Sequence, residues 1–160
     1  MAKVIVEDPI PRSRTWNVWL RTIVLGAVAG LVYWFIALLI DNYIVEPLAC
    51  RQMVNAAICT TSDSLSGNIA AIMTAALGVL AMVRAGIIRP ILVAGATLAL
   101  LWSLGAWTSG LLLIEVLGWS VLVYALSYAL FSWIARYTVL AVGIIVSLVI
   151  VLTIRIAIML

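Results

Sequence analysis

The side chains able to carry chemistry are few: Cys50, Cys59 and six carboxylates, with no histidine anywhere in the chain. Without histidine, both the commonest general base and the commonest metal ligand are missing. Histidine-ligated haem, H-E-x-x-H zinc sites and Ser-His-Asp triads are excluded with it. The two cysteines stand in a C-x8-C arrangement. Thiol oxidases at the face of a membrane bundle use a closer C-x-x-C pair and a second pair to relay electrons. The spacing therefore suits a structural disulfide between Cys50 and Cys59 better than a redox centre. On one unbroken helix nine residues advance about 13.5 Å, whereas bridged Cα atoms lie within about 7 Å, so the bridge requires a break before Cys59. No catalytic, cofactor-binding or metal-ligating set is assigned, and no cofactor is expected.

Glu115 is the one acid inside an apolar stretch. An ionisable group near the centre of a membrane helix costs about 2.5–3.5 kcal/mol on insertion scales, which makes it a functional candidate by default. Its depth, about four residues below a turn, matches that of Arg155 near the far end of the last helix. An ion pair between Glu115 and Arg155 is expected on that ground. The competing role for Glu115 is ion or proton coupling, with Asp41 as a second carboxylate.

These residues need a scaffold, and composition says which. Of the 160 residues 67% are hydrophobic and 9% charged, against about 25% charged in soluble domains. Such a chain cannot cover itself with a water-compatible surface. The length suffices for one all-α transmembrane bundle and leaves no room for a separate soluble domain. Lys3 is the only lysine and no basic cluster is interleaved with aromatics, so a nucleic-acid role is excluded.

A membrane helix takes about 20 apolar residues. Residues 22–40, 64–83 and 137–157 each satisfy that length. Residues 90–135 carry one charge and as a single helix would extend about 69 Å, so they must fold back. The stretch 105–110, Gly-Ala-Trp-Thr-Ser-Gly, supplies the turn chemistry. Spans at 88–106 and 111–134 follow, giving five in all; a re-entrant segment here, with four spans, is the competing topology. A tail at 1–15 and a loop at 41–63 complete a single domain over residues 1–160.

The positive-inside rule orients it. With the N-terminus cytoplasmic, seven of the nine basic residues fall inside and only Arg51 and Arg155 outside. The loop 41–63 and the C-terminus are then external. The first apolar run is longer than the h-region of a cleavable signal, so it reads as a retained span. Trp16, Trp19, Trp107, Trp119 and Trp133 sit near span ends, where an amphipathic ring suits the headgroup layer. Tyr33, Trp34 and Phe35 fall within the first span and read as packing or lipid-facing surface. Gly26-Ala-Val-Ala-Gly30 forms a G-x-x-x-G face that allows close helix approach, within the chain or between copies.

The function that fits is a small non-enzymatic accessory or structural subunit of a membrane complex. A small oligomeric transporter or channel using Glu115 is the alternative, and a thiol-redox enzyme stands behind both. The expected partners are the lipid bilayer and another membrane protein or a second copy of the chain. The absence of an N-x-S/T acceptor suits a bacterial inner membrane.

Overall fold

The computed structural model describes residues 12–50, 62–87, 89–102, 104–108, 110–137 and 140–159. They form α1 (Arg12–Ile40), a π-helical continuation (Asp41–Cys50), α2 (Ser62–Arg84), α3 (Pro90–Leu100), a short α4 (Leu104–Trp107), α5 (Leu113–Tyr137) and α6 (Leu140–Met159). Five stretches are long and apolar enough to cross a membrane, with α3 and α4 together making one of them, Pro90–Trp107. The protein is an all-α bundle of membrane-length helices. Lipid offers backbone groups no hydrogen-bond partner, so each crossing segment must satisfy its own as helix.

The interior is built from small residues, hydroxyls and tyrosines, and many leucines and isoleucines face outward. On α1, Thr22, Gly26, Ala29, Gly30 and Tyr33 are buried, whereas Leu20, Val24, Val28, Leu31 and Phe35 are exposed. On α2, Ser66, Ala70, Thr74, Gly78 and Met82 recur every four residues and are all buried. Lipid tails are as apolar as leucine, so association rests on close packing, which small residues permit. The aromatic run on α1 divides accordingly: Tyr33 is in the core, Phe35 is exposed and Trp34 lies between.

The closest approach is between α1 and α5. A Cβ added at Gly26 would stand 2.7 Å from the Ala125 Cα, and one at Gly30 would stand 2.5 Å from the Ser120 carbonyl oxygen. Tyr33 then stacks on Tyr124 with ring centroids 5.3 Å apart, and Tyr124 on Tyr128 at 6.4 Å. The Tyr128 hydroxyl occupies the space a side chain at Gly78 would need, so α2 is drawn against the same column. α6 is peripheral and packs on α3 and α5.

Two boundaries differ from the expected ones. The loop anticipated at 41–63 begins as helix, because α1 continues through Asp41–Cys50 in wider winding. Asp41 and Asn42 end the apolar run, yet neither charge nor an amide stops a helix. At the join the Asn42 side-chain amide donates to the Leu38 carbonyl at 2.9 Å. Pro47 lies inside the π segment. A proline ring in an α-helix collides with the carbonyl four residues earlier, and wider turns move that carbonyl aside. The second difference is in the span expected at 88–106. It breaks after Leu100, where the Leu101 amide closes the helix onto the Thr97 carbonyl (2.9 Å) and Leu101 itself sits at φ −92°, ψ 9°. The chain reverses beyond Thr108 through Gly110, whose φ of +87° suits glycine.

The α1–α5 approach generates opposite expectations for two glycine-to-alanine changes. At Gly30 the added methyl meets backbone, so Gly30→Ala should lower stability by about 1–3 kcal/mol. A Cβ at Gly118, on the same partner helix, would meet nothing within 4 Å. Gly118→Ala should instead gain up to about 1 kcal/mol from helix propensity. Thermal unfolding in one detergent measures both, and two shifts of the same sign would contradict the packing described.

Candidate functional site

The polar features gather at the two ends of the bundle. At one end Arg21 from α1 and Arg136 from α5 line a 110 Å³ cavity with Gly86 and Ile87 from the turn after α2. Arg89 follows that turn, and its guanidinium donates to the Ala135 carbonyl at 3.4 Å. Four helices therefore bring arginines or an arginine-bearing turn to one level.

At the other end lies a 340 Å³ cavity between the end of α1, the start of α2, α4 and the start of α5. Asp41, Asn42, Ser66 and Thr108 contribute polar groups to its lining, beside Tyr33 and Trp34. Gly67 and Gly105 form part of its wall, where two backbones meet: a Cβ at Gly67 would be 3.1 Å from the Gly105 Cα. Tyr33 is hydrogen-bonded to the Gly105 backbone. Thr108 turns its hydroxyl back to the Leu104 carbonyl at 3.1 Å, which closes the short α4. The broken third span thus makes one wall of the cavity, and irregular backbone at membrane depth is tolerated where it lines such a space. Below the cavity the core holds hydroxyls of Thr74, Thr97, Tyr124 and Tyr128 that have no protein hydrogen-bond partner. The arrangement can receive a small ligand carrying hydrogen-bond donors or positive charge, with Asp41 as the charged wall.

Glu115 and Arg155 are not brought together. Glu115 is exposed in the first turn of α5, and its carboxylate accepts from the Leu112 amide at 3.3 Å. The Leu112 carbonyl in turn accepts the amides of Glu115 (2.9 Å) and Val116 (3.0 Å). This is the glutamate half of a capping box, and the negative charge also complements the helix N-terminus. The serine or threonine half is absent, because Leu112 holds the cap position. Arg155 reaches across to α3 and donates to the Trp102 carbonyl at 2.6 Å. That carbonyl lies just past the break after Leu100, where the guanidinium reaches it. Each charge therefore satisfies backbone at a helix end. The Arg155 guanidinium projects instead toward the end of α3, on which α6 packs.

Gly26 and Gly30 face α5 of the same chain, as described above. Cys59 and the side chain of Cys50 lie outside the described residues, although the Cys50 backbone is helical. Among the described residues no three His, Cys, Asp or Glu side chains gather as a metal site. The cavity around Asp41 had one legible signal, an acid closely following a long apolar run. Ser66 and Thr108 joined it only through the fold. Neither a protein-family model, nor a curated protein, nor a solved structure matches the chain.

Separate partners for Glu115 and Arg155 imply additive energetics. Glu115→Ala should cost about 0.3–1 kcal/mol as a lost helix-end charge. Arg155→Met should cost about 1 kcal/mol or more, since it strips a charged donor from a carbonyl. The double variant should equal the sum within about 0.5 kcal/mol by thermal unfolding in detergent. A double variant more stable than either single one would restore a direct pair.

Proposed function

We propose that the protein is a non-catalytic subunit of a membrane complex and that it associates through its last helix. The observation behind this reading is the sparse packing of α6. Only 11% of its membrane-length window is buried, against 28–39% for the other four. Val142, Ile145, Val149 and Ile156 share one flank of the helix and are 48–62% exposed. A helix with so little contact to its own bundle has a free side for a helix of another protein or of a second copy. Close packing is a main source of attraction between helices in lipid. The same reading places the chain in a bacterial inner membrane with the arginine-rich end cytoplasmic, by the positive-inside rule. A disulfide between Cys50 and Cys59 would then form on the oxidising side.

Site-specific photo-crosslinking in native membranes tests the association. A photoreactive residue at Ile145 or Val149 should give one discrete protein adduct, whose mass identifies a partner or a second copy. The same residue at Leu31 or Phe35 on the exposed face of α1 should give none. Equal yields of lipid adducts alone at all four positions would defeat the reading.

A transport role is the second reading, favoured by the polar cavity beside the broken third span. Discontinuous membrane helices often frame substrate sites. Here the working carboxylate is Asp41, which lines that cavity. Reconstituted in proteoliposomes, the protein should pass a small cation above the empty-liposome rate. Asp41→Asn should cut that flux about tenfold or more, in line with loss of an intramembrane charge interaction. A flux unchanged by this substitution would remove the role.

A further inference from the structure

A third cavity lies on the flank of the bundle, between α3 and α6. This groove of 670 Å³ is walled on one side by Gly95, Ala96 and Ala99 and on the other by Ile144, Leu148 and Val151. The small residues of α3 are not there to admit a helix of the same chain. A Cβ at Gly95 would meet nothing within 4 Å, unlike those at Gly26 and Gly30. The groove is apolar along its length except for the Ser147 hydroxyl, and at its end Arg89 joins the lining beside Pro90.

Arg89 is unusual in its backbone as well as its place. Its φ of 56° is the one positive value at a non-glycine position among the described residues, and such strain persists only where surrounding structure enforces it. The conformation places Arg89 at the cap of α3, directly before Pro90. That is where a membrane helix meets the headgroup layer. A guanidinium carries five N–H donors in a fork that matches phosphate oxygens. The bond to the Ala135 carbonyl holds the guanidinium at the end of α5. Arg21 and Arg136 add positive charge at the same end.

A positive group at the headgroup level, continuous with an apolar groove along the span, is complementary to one kind of molecule. We infer that the groove between α3 and α6 holds an acyl chain of an anionic phospholipid whose phosphate is bound by Arg89. A partner helix in this place would have to bring its own acid to that depth, whereas an anionic phospholipid presents there a phosphate whose charge no choline ammonium offsets. The lipid also accounts for the position of α6, because the chain fills space that the helix leaves against α3. The groove residues lie on a different flank of α6 from Ile145 and Val149. The inference therefore stands apart from the crosslinking outcome above.

Native mass spectrometry of the purified full chain tests it, using phosphatidylglycerol and phosphatidylcholine with identical acyl chains. The protein should retain phosphatidylglycerol about fivefold over phosphatidylcholine, the weight of one basic residue near a lipid surface. Arg89→Asn should bring the ratio close to one; asparagine accepts positive φ, so the turn is kept. Gly95→Leu should lower retention of both lipids without lowering the unfolding temperature, since its side chain enters open groove. Equal retention of the two lipids by the unaltered protein would overturn the inference, as would a preference that survives Arg89→Asn. A Gly95→Leu protein that keeps its lipids but loses a bound protein or second copy would also overturn it, and would assign the groove to a helix.

Discussion

The approach of α1 to α5 at Gly26 and Gly30 is the contact on which the rest of the bundle depends. In lipid no hydrophobic force drives helices together, so stability must come from contact density and from polar groups that find one another. With a Cβ at Gly30 falling 2.5 Å from the Ser120 carbonyl oxygen, no residue but glycine fits without separating the helices. That spacing sets Tyr33 against Tyr124 and carries the tyrosine column to Tyr128. The column in turn requires glycine on α2, where the Tyr128 hydroxyl fills the space beside Gly78 and the Tyr33 hydroxyl that beside Gly67. The inward small residues and outward leucines are consequences of one close crossing.

The broken third span shows how the same bundle manages irregular backbone. A helix interrupted at membrane depth exposes carbonyls that lipid cannot satisfy. Arg155 supplies a donor to Trp102, and the Thr108 hydroxyl returns to Leu104. On the neighbouring helix Glu115 meets the Leu112 amide. The residues that stand out in the sequence as charges within apolar runs are thus engaged with main chain. The break has a further effect, since it lets Gly105 reach Gly67 and Tyr33 and so forms the wall of the polar cavity.

Much of this architecture could be read from the residues, for a physical reason. Membrane helices are specified by length and apolarity, both local properties, and the turn at 105–110 announced itself through glycine and hydroxyl content. The errors fell where a local property was asked to report a global one. Asp41 marks the end of the apolar run, yet the helix continues to Cys50, because leaving hydrocarbon and ending a helix are different events. Depth placed Glu115 and Arg155 at similar levels, but depth does not determine which way a helix faces. The break after Leu100 has no proline or glycine at the site, and the group that meets the Trp102 carbonyl beside it, Arg155, is distant in the chain. The groove at Arg89 was equally hidden, since only the fold sets the apolar flank of α6 beside Arg89 and Pro90.

Packing density falls across the molecule, from the glycine crossing of α1 and α5 to the sparsely covered α6, and this gradient bears on where function can reside. A tight crossing tolerates almost no change, since any added methyl meets backbone. The periphery carries no such constraint and is free to be shaped by what it touches. The polar cavity sits at the end of the tight region, where the walls of α1, α2 and α4 are held in place by the crossing and by the Gly67–Gly105 approach. The groove and the exposed flank of α6 lie where α6 is held only by α3 and α5. A small ligand site benefits from rigid walls, because fixed groups lose little freedom on binding. A surface for lipid or another helix needs only an accessible, complementary flank. The molecule therefore divides by packing as well as by charge: a closely packed core with the Asp41 cavity at its end, and a last helix with few contacts to its own bundle.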